Sequence, residues 1–383
     1  MQQVNDFYSR VNPETGKRQK SKKGNHLKRV AFFSLPHHWP IVRPVYEIAQ
    51  KKFDCWASDQ EKEVIDFKPH AVVAASACPK SIRKSMPESY VIWLRHGFSD
   101  KNYAKVSLGR TDFACVSSQW AIDDFTAKGY KPFLGYWITG FSAMDQVYHR
   151  IAALSSQPKK EKGLSVLYAP TYNPELSAQE QLGEGWIENF TFMFKDFNLL
   201  IKPHPLTQNF SPEHIRYYKK MAITFPRVKI LDPNSDFYEV IDKADMLISD
   251  ASSVIFYYLA LDRPVILVDN EKRFECKNFN PNGPEWSWRE IGERVSTQQD
   301  LLRAVKEAVE APQKGSSLRS KYRSKVLGDT FDGRACERIV SNIQQLLSPS
   351  PPPDILSRTM RCKKMLHPLR IKKTIRPLLP KVI

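Results

Sequence analysis

The stretch LISDASSVIFYYLALDRPVILVD, residues 247–269, reads as an apolar strand, a run of small hydroxyl residues, a segment of helical length and a second apolar strand. Strand, helix and strand in close succession form the unit of a parallel sheet covered by helices. The same alternation continues outward in both directions. In the first half, short runs rich in Val, Ile and Phe predict strands at 29–34, 70–75, 90–94, 112–116 and 132–136. In the second half they predict strands at 164–168, 198–202, 228–231, 245–248 and 264–268. Helices are expected at 178–197, 236–243, 252–261 and 297–310, with two more at 318–327 and 334–347.

This pattern predicts an α/β protein of two Rossmann-like, doubly wound domains. The polar stretch SSQPKKEKG, residues 155–163, marks the expected boundary between them. A basic N-terminal extension at 1–28 is thus followed by domains at 29–156 and 157–347. The prolines of SPSPPPD set off a linker and basic tail at 348–383.

Charge follows this division. The chain of 383 residues carries 58 Lys and Arg against 41 Asp and Glu, a formal net charge of +17. Residues 1–29 hold +6 of it and residues 357–383 hold +9, so the 327 residues between them carry only +2. A nearly neutral body argues against a nucleic-acid-binding core, and no recognisable nucleic-acid module is present. The six cysteines have no CxxC pair and no regular spacing, the pattern of reduced thiols. The polar N-terminus does not read as a signal peptide, and no apolar run is long enough to span a membrane.

Ligands of open parallel sheets bind beyond the carboxyl ends of the strands, so polar residues directly after a strand are the candidates. Ser249, Asp250, Ser252 and Ser253 follow one strand and lead into a helix. Backbone N–H groups and serine hydroxyls there could seat a phosphate, although the same run would also serve as an ordinary helix cap. Neither a GxGxxG nor a GxxxxGK[ST] loop occurs. In IKPHP, 201–205, prolines flank His204 and Lys202 stands beside it, a rigid setting for an imidazole facing a phosphate. In WLRHG, 93–97, a strand delivers Arg95 and His96 to its end and Gly97 permits close approach; His96 could be a general base. His37 and His38 follow the first strand without metal-ligand spacing, and His37 could line an acceptor cleft.

Taken in order, these motifs resemble the CDP-glycerol glycerophosphotransferase family, the teichoic acid primases and polymerases, over about 30–347. LISDASSVIFYYLALDRPVILVD is similar to the family's SDxSS helix and following strand. YAPTY (168–172), IKPHP, the HG of His96 and Gly97, DFACVSSQW (112–120) and FDGRACERIV (331–340) accompany it in the family's order. The resemblance implies a GT-B fold, two domains facing a central cleft with the last helix crossing back. It implies His96 and His204 as catalytic residues and Lys202, Ser249, Asp250, Ser252 and Ser253 as donor phosphate contacts. Arg95, Gly97, Tyr172 and His37 are expected to line the cleft.

The implied reaction moves glycerol phosphate, or a similar polyol phosphate, from CDP-glycerol or a related CDP-polyol to a hydroxyl of a lipid-linked glycan. CMP is released; no obligatory cofactor and no metal ligands are expected. The chain departs from the family pattern at GYWITGFSAMD (135–145), at Asn173 and at Tyr257, which leaves a GT-B glycosyltransferase using a UDP- or CMP-linked sugar as the alternative. The tail mixes nine basic residues with Leu and Ile. Its expected partner is an anionic membrane surface, placing the enzyme at the cytoplasmic face of the membrane.

Overall fold

The computed structural model describes residues 27–95, 97–98, 103–154, 163–277 and 279–349. Two six-stranded sheets, all of whose pairings are parallel, make up the molecule. The first has the order β2-β1-β3-β4-β5-β6, from β1 (Arg29–Phe33), β2 (Asp54–Ser58), β3 (Ala71–Ala74), β4 (Tyr90–Leu94), β5 (Phe113–Val116) and β6 (Gly135–Ile138). The second has the order β12-β11-β10-β7-β8-β9, from β7 (Ser165–Ala169), β8 (Asn198–Ile201), β9 (Val228–Ile230), β10 (Met246–Ser249), β11 (Val265–Val268) and β12 (Glu293–Val295). Central strands such as β3, β10 and β11 are buried along their whole length, as expected of parallel strands with both faces covered.

Several expected elements are corrected. β2 and β12 were not anticipated; both are edge strands, with the mixed sequences DCWAS and ERV. The helix expected at 178–197 is two helices, Ala178–Leu182 and Trp186–Met193, because Gly183 and Gly185 between them take φ of +69° and +86°. The helix expected at 236–243 is a pair of 3-10 turns, and that at 252–261 is the helix Val254–Tyr258 with a 3-10 turn after it. β6 lies later than the expected 132–136. Of the expected boundary at 155–163 only Gly163 falls within the described residues, and the tail from 350 onward lies outside them, as do residues 1–26.

The helix Ala335–Leu346 follows the second sheet in sequence yet packs on the first. It lies against the helix Trp39–Ala49; Lys52 Nζ donates to Gln344 Oε1 at 2.9 Å, and Arg338 Nη1 donates to Thr139 O at 2.8 Å. One apolar cluster runs through both lobes, joining Phe32, Ile92 and Phe98 to Leu247, Phe256 and Trp288. Arg150 on the helix Met144–Leu154 pairs with Asp242 of the second lobe at 3.0 Å. Among the described residues no helix is long and apolar enough to cross a membrane, and no disulfide forms among the described cysteines.

Candidate functional site

The order of the second sheet reverses direction between β7 and β10: β8 and β9 extend one way, β11 and β12 the other. Diverging connections at such a switch point open a crevice beyond the strand ends, where ligands of doubly wound sheets sit. The YAPTY segment leaves β7, SDASS leaves β10 and KPHP leaves β8, so three neighbouring strands present the three motifs side by side.

Within SDASS the roles divide by burial. Ser249 is fully buried and its Oγ donates to Ala169 O at 2.6 Å, tying β10 to β7. Asp250 is also fully buried. Its carboxylate accepts from the backbone N–H of Thr171 (2.9 and 3.0 Å), Ala178 (2.8 Å) and Ala251 (2.6 Å). Burial outweighs these donors and the neighbouring Arg289, pushing its pKa up to about 6. Both expected phosphate contacts are thus buried, with their side-chain polar atoms bonded within the turn. Ser252 and Ser253 remain half-buried at the front of it.

Arg289, which no sequence motif flagged, completes this support. It is buried, donates to Asp250 O and Asp269 Oδ1, and reaches Val268 O at 2.9 Å, lacing the ends of β10 and β11 together. Arg294 Nε adds a bond to Asp269 Oδ2 at 2.8 Å. Only the three-dimensional arrangement brings Arg289 to Asp250, 39 residues away in sequence.

Lys202 is likewise buried rather than presented to the crevice. Its Nζ donates to Pro233 O at 2.8 Å, and desolvation lowers its pKa to about 8 despite Asp232 and Asp236 nearby. His204 is half-buried, and its Nδ1 accepts the N–H of Leu206 at 3.1 Å. In the neutral ring this bond puts the proton on Nε2, so the outer nitrogen is a donor. Tyr172 packs on His204 with ring centroids 4.7 Å apart, and Phe210 packs on Tyr172 at 5.2 Å.

The first lobe meets this turn through WLRHG. A Cβ placed on Gly97 would lie 3.7 Å from Ser253 Oγ, so the segment after β4 meets the segment after β10. His96 itself lies outside the described residues. Arg95, expected at the cleft, is buried. Its guanidinium turns inward, donating to Gly97 O and Phe98 O at 2.8 Å each and lying over the Phe98 and Phe125 rings. It thereby ties Arg95 to Gly97 and Phe98. His37 stands in a 3-10 turn after β1, its ring 4.0 Å from that of His38, and partial desolvation lowers its pKa.

Asn173 and Tyr257, two of the departures from the family pattern, are both structural. Asn173 Oδ1 accepts Glu175 N–H at 2.9 Å, and Tyr257 is buried against Phe141 at 5.0 Å and Tyr238 at 5.4 Å. Among the described residues, one group has metal-ligand geometry: Glu180, Glu213 and His214, whose ligand atoms lie within 4.8 Å of one another. Within it His214 Nε2 and Glu180 Oε1 lie 2.9 Å apart.

Residues 95–345 match the family model described as CDP-Glycerol:Poly(glycerophosphate) glycerophosphotransferase. No curated protein sequence matches the chain. Among solved structures, the wall teichoic acid polymerase TagF soaked with CDPG is similar at a TM-score of 0.61 and 15% identity, over 88% of this chain and 90% of that one. The UDP-GlcNAc 2-epimerase from Neisseria meningitidis bound to UDP-GlcNAc is similar at a TM-score of 0.55 and 13% identity, over 83% of this chain and 100% of that one. The shared architecture is GT-B: two parallel sheets with their strand ends facing each other.

Proposed function

This chain belongs to the CDP-glycerol:poly(glycerophosphate) glycerophosphotransferase family, and on that premise we propose that it transfers glycerol phosphate, or a similar polyol phosphate, from a CDP-linked donor to a hydroxyl of a lipid-linked cell-surface glycan. The observation that carries the reading is the approach of Gly97, the residue after His96 in sequence, to Ser253 beyond β10 at the switch point of the second sheet.

The donor's diphosphate lies over Ser252 and Ser253, whose hydroxyls donate to its oxygens. His204, with its proton fixed on Nε2 by the Leu206 N–H, donates to a phosphate oxygen and stabilises the charge that builds there. His96 takes the proton of the acceptor hydroxyl. The freed oxygen attacks the glycerol-side phosphorus, the bond to the bridging oxygen breaks, and CMP leaves with that electron pair. Ser249, Asp250, Arg289 and Lys202 act behind these groups, holding the turns that carry them.

The nine basic residues of 357–383 attract the enzyme to the anionic inner face of the membrane, where a lipid-linked acceptor would be met. Each contributes about 1 kcal/mol near such a surface.

The test is incubation of the purified protein with a panel of CDP-glycerol, CDP-ribitol and UDP- or CMP-linked sugars, reading the nucleotide released. CMP should appear from a CDP-polyol, and His96→Ala and His204→Ala should each abolish it with far-UV circular dichroism unchanged. Consumption of a nucleotide sugar with no CDP-polyol turnover would instead establish the glycosyltransferase reading. In fractionated cell lysates, removal of 357–383 should move the protein from the membrane to the soluble fraction; unchanged fractionation discards the anchoring role.

A further inference from the structure

We propose that Phe210 is the stacking platform for the nucleobase of the donor. The inference rests on the reading of the site as one for a nucleoside diphosphate, and adds the residue that holds its base.

Phe210 is 59% exposed, although it closes the short helical turn after IKPHP and packs on Tyr172 beside His204. It is not a loose surface residue. The single helical turn Thr207–Phe210 is pinned by Thr207 N–H to His204 O (2.9 Å), Asn209 N–H to Leu206 O (3.0 Å), Phe210 N–H to Leu206 O (3.2 Å) and Ser211 N–H to Thr207 O (2.9 Å). Behind its ring stands Tyr172 at 5.2 Å, and behind Tyr172 stands His204 at 4.7 Å. Three rings from two loops thus form a backed shelf whose outermost member faces solvent.

A rigid, exposed aromatic ring costs little entropy to engage and presents a π-face that any nucleobase can cover. Its position suits the ligand. The strand order places β8 two strands from β10, a lateral separation of about 10 Å at the usual spacing. A nucleotide with its diphosphate over Ser252 and Ser253 and within reach of His204 would therefore carry its base past Tyr172 toward Phe210. Phe210 carries no motif in the sequence; only its packing on Tyr172 singles it out.

The test separates base from phosphate. Affinities of wild type, Phe210→Ala and Phe210→Tyr are measured by titration calorimetry for CDP, UDP and inorganic diphosphate. Loss of one base–aromatic stack predicts a fall of about 5- to 150-fold in CDP and UDP affinity for Phe210→Ala. Diphosphate affinity should stay unchanged, and Phe210→Tyr should restore nucleotide binding. Equal loss for diphosphate and CDP would mean that the ring only supports the loop, and unchanged CDP affinity would remove it from the site; either overturns the proposal. The outcome is independent of the transfer assay. A protein that binds UDP through Phe210 but releases no CMP from a CDP-polyol would sink the proposed reaction and leave this platform standing.

Discussion

Lys202 illustrates how a single side chain's setting, more than its type, decides its contribution. Its ammonium is buried against Pro233 O, and its pKa falls to about 8 from 10.5. Between those two values the unfolded chain keeps a proton that the native lysine has released. The unfolded state then binds more protons, so the part of the stability that depends on Lys202 rises with pH. Below about pH 8 the charge is buried at full cost. The stability of wild type minus that of Lys202→Met, from urea denaturation, should therefore climb between about pH 8 and pH 10.5. A difference flat with pH would show that the ammonium is solvated after all. Asp250 makes the same point about what the sequence can disclose. SDASS was legible as a strand-end motif, but which of its members faces a ligand was not. Thr171 and Ala178 donate to the carboxylate from 79 and 72 residues away, Arg289 donates to the same residue's carbonyl from 39, and no local pattern encodes that enclosure.

At the scale of elements, the central strands could be read directly because parallel strands covered on both faces need uninterrupted apolar runs. The edge strands β2 and β12 could not, since one side of each is unpaired and their composition is mixed. The helix Ala335–Leu346 shows an element whose end is completed from elsewhere. Its N-terminal residue Arg334 supplies no side-chain cap. Instead Asp145, from the helix Met144–Leu154, accepts the N–H of Ala335 at 3.0 Å and of Cys336 at 2.8 Å. A carboxylate there meets both the free donors and the positive end of the helix. Gly140 supports the same approach: its φ is +92°, and a Cβ on it would lie 2.8 Å from Thr330 O. Asp145→Ala should cost about 1–2 kcal/mol, the range of a lost cap, read as a lower urea midpoint with an unchanged m-value. A midpoint equal to wild type would mean that water replaces the carboxylate at no cost.

The whole molecule is held together by an aromatic seam between its lobes. Phe98, directly after the WLRHG turn, is fully buried and packs on Trp120 at 5.7 Å, on Phe256 at 5.2 Å and on Trp288 at 5.9 Å. Trp288 also meets Trp120 at 4.8 Å and Tyr322 at 4.8 Å. Phe98 and Trp120 belong to the first lobe and Phe256, Trp288 and Tyr322 to the second, so neither lobe can unfold without exposing this cluster. Two lobes of this size would ordinarily unfold in separate steps, but the shared cluster couples them. Urea unfolding followed by tryptophan fluorescence and by far-UV circular dichroism should therefore give coincident transitions in the wild type. Trp288→Ala, which removes the ring at the centre of the seam, should cost about 3–5 kcal/mol and pull the two transitions apart. Because Phe98 lies two residues from His96, the same variant should also loosen the turn facing Ser253 and lower kcat/KM under conditions where the protein remains folded. Separate transitions already present in the wild type would show that the lobes are independent and that the seam is a contact without coupling.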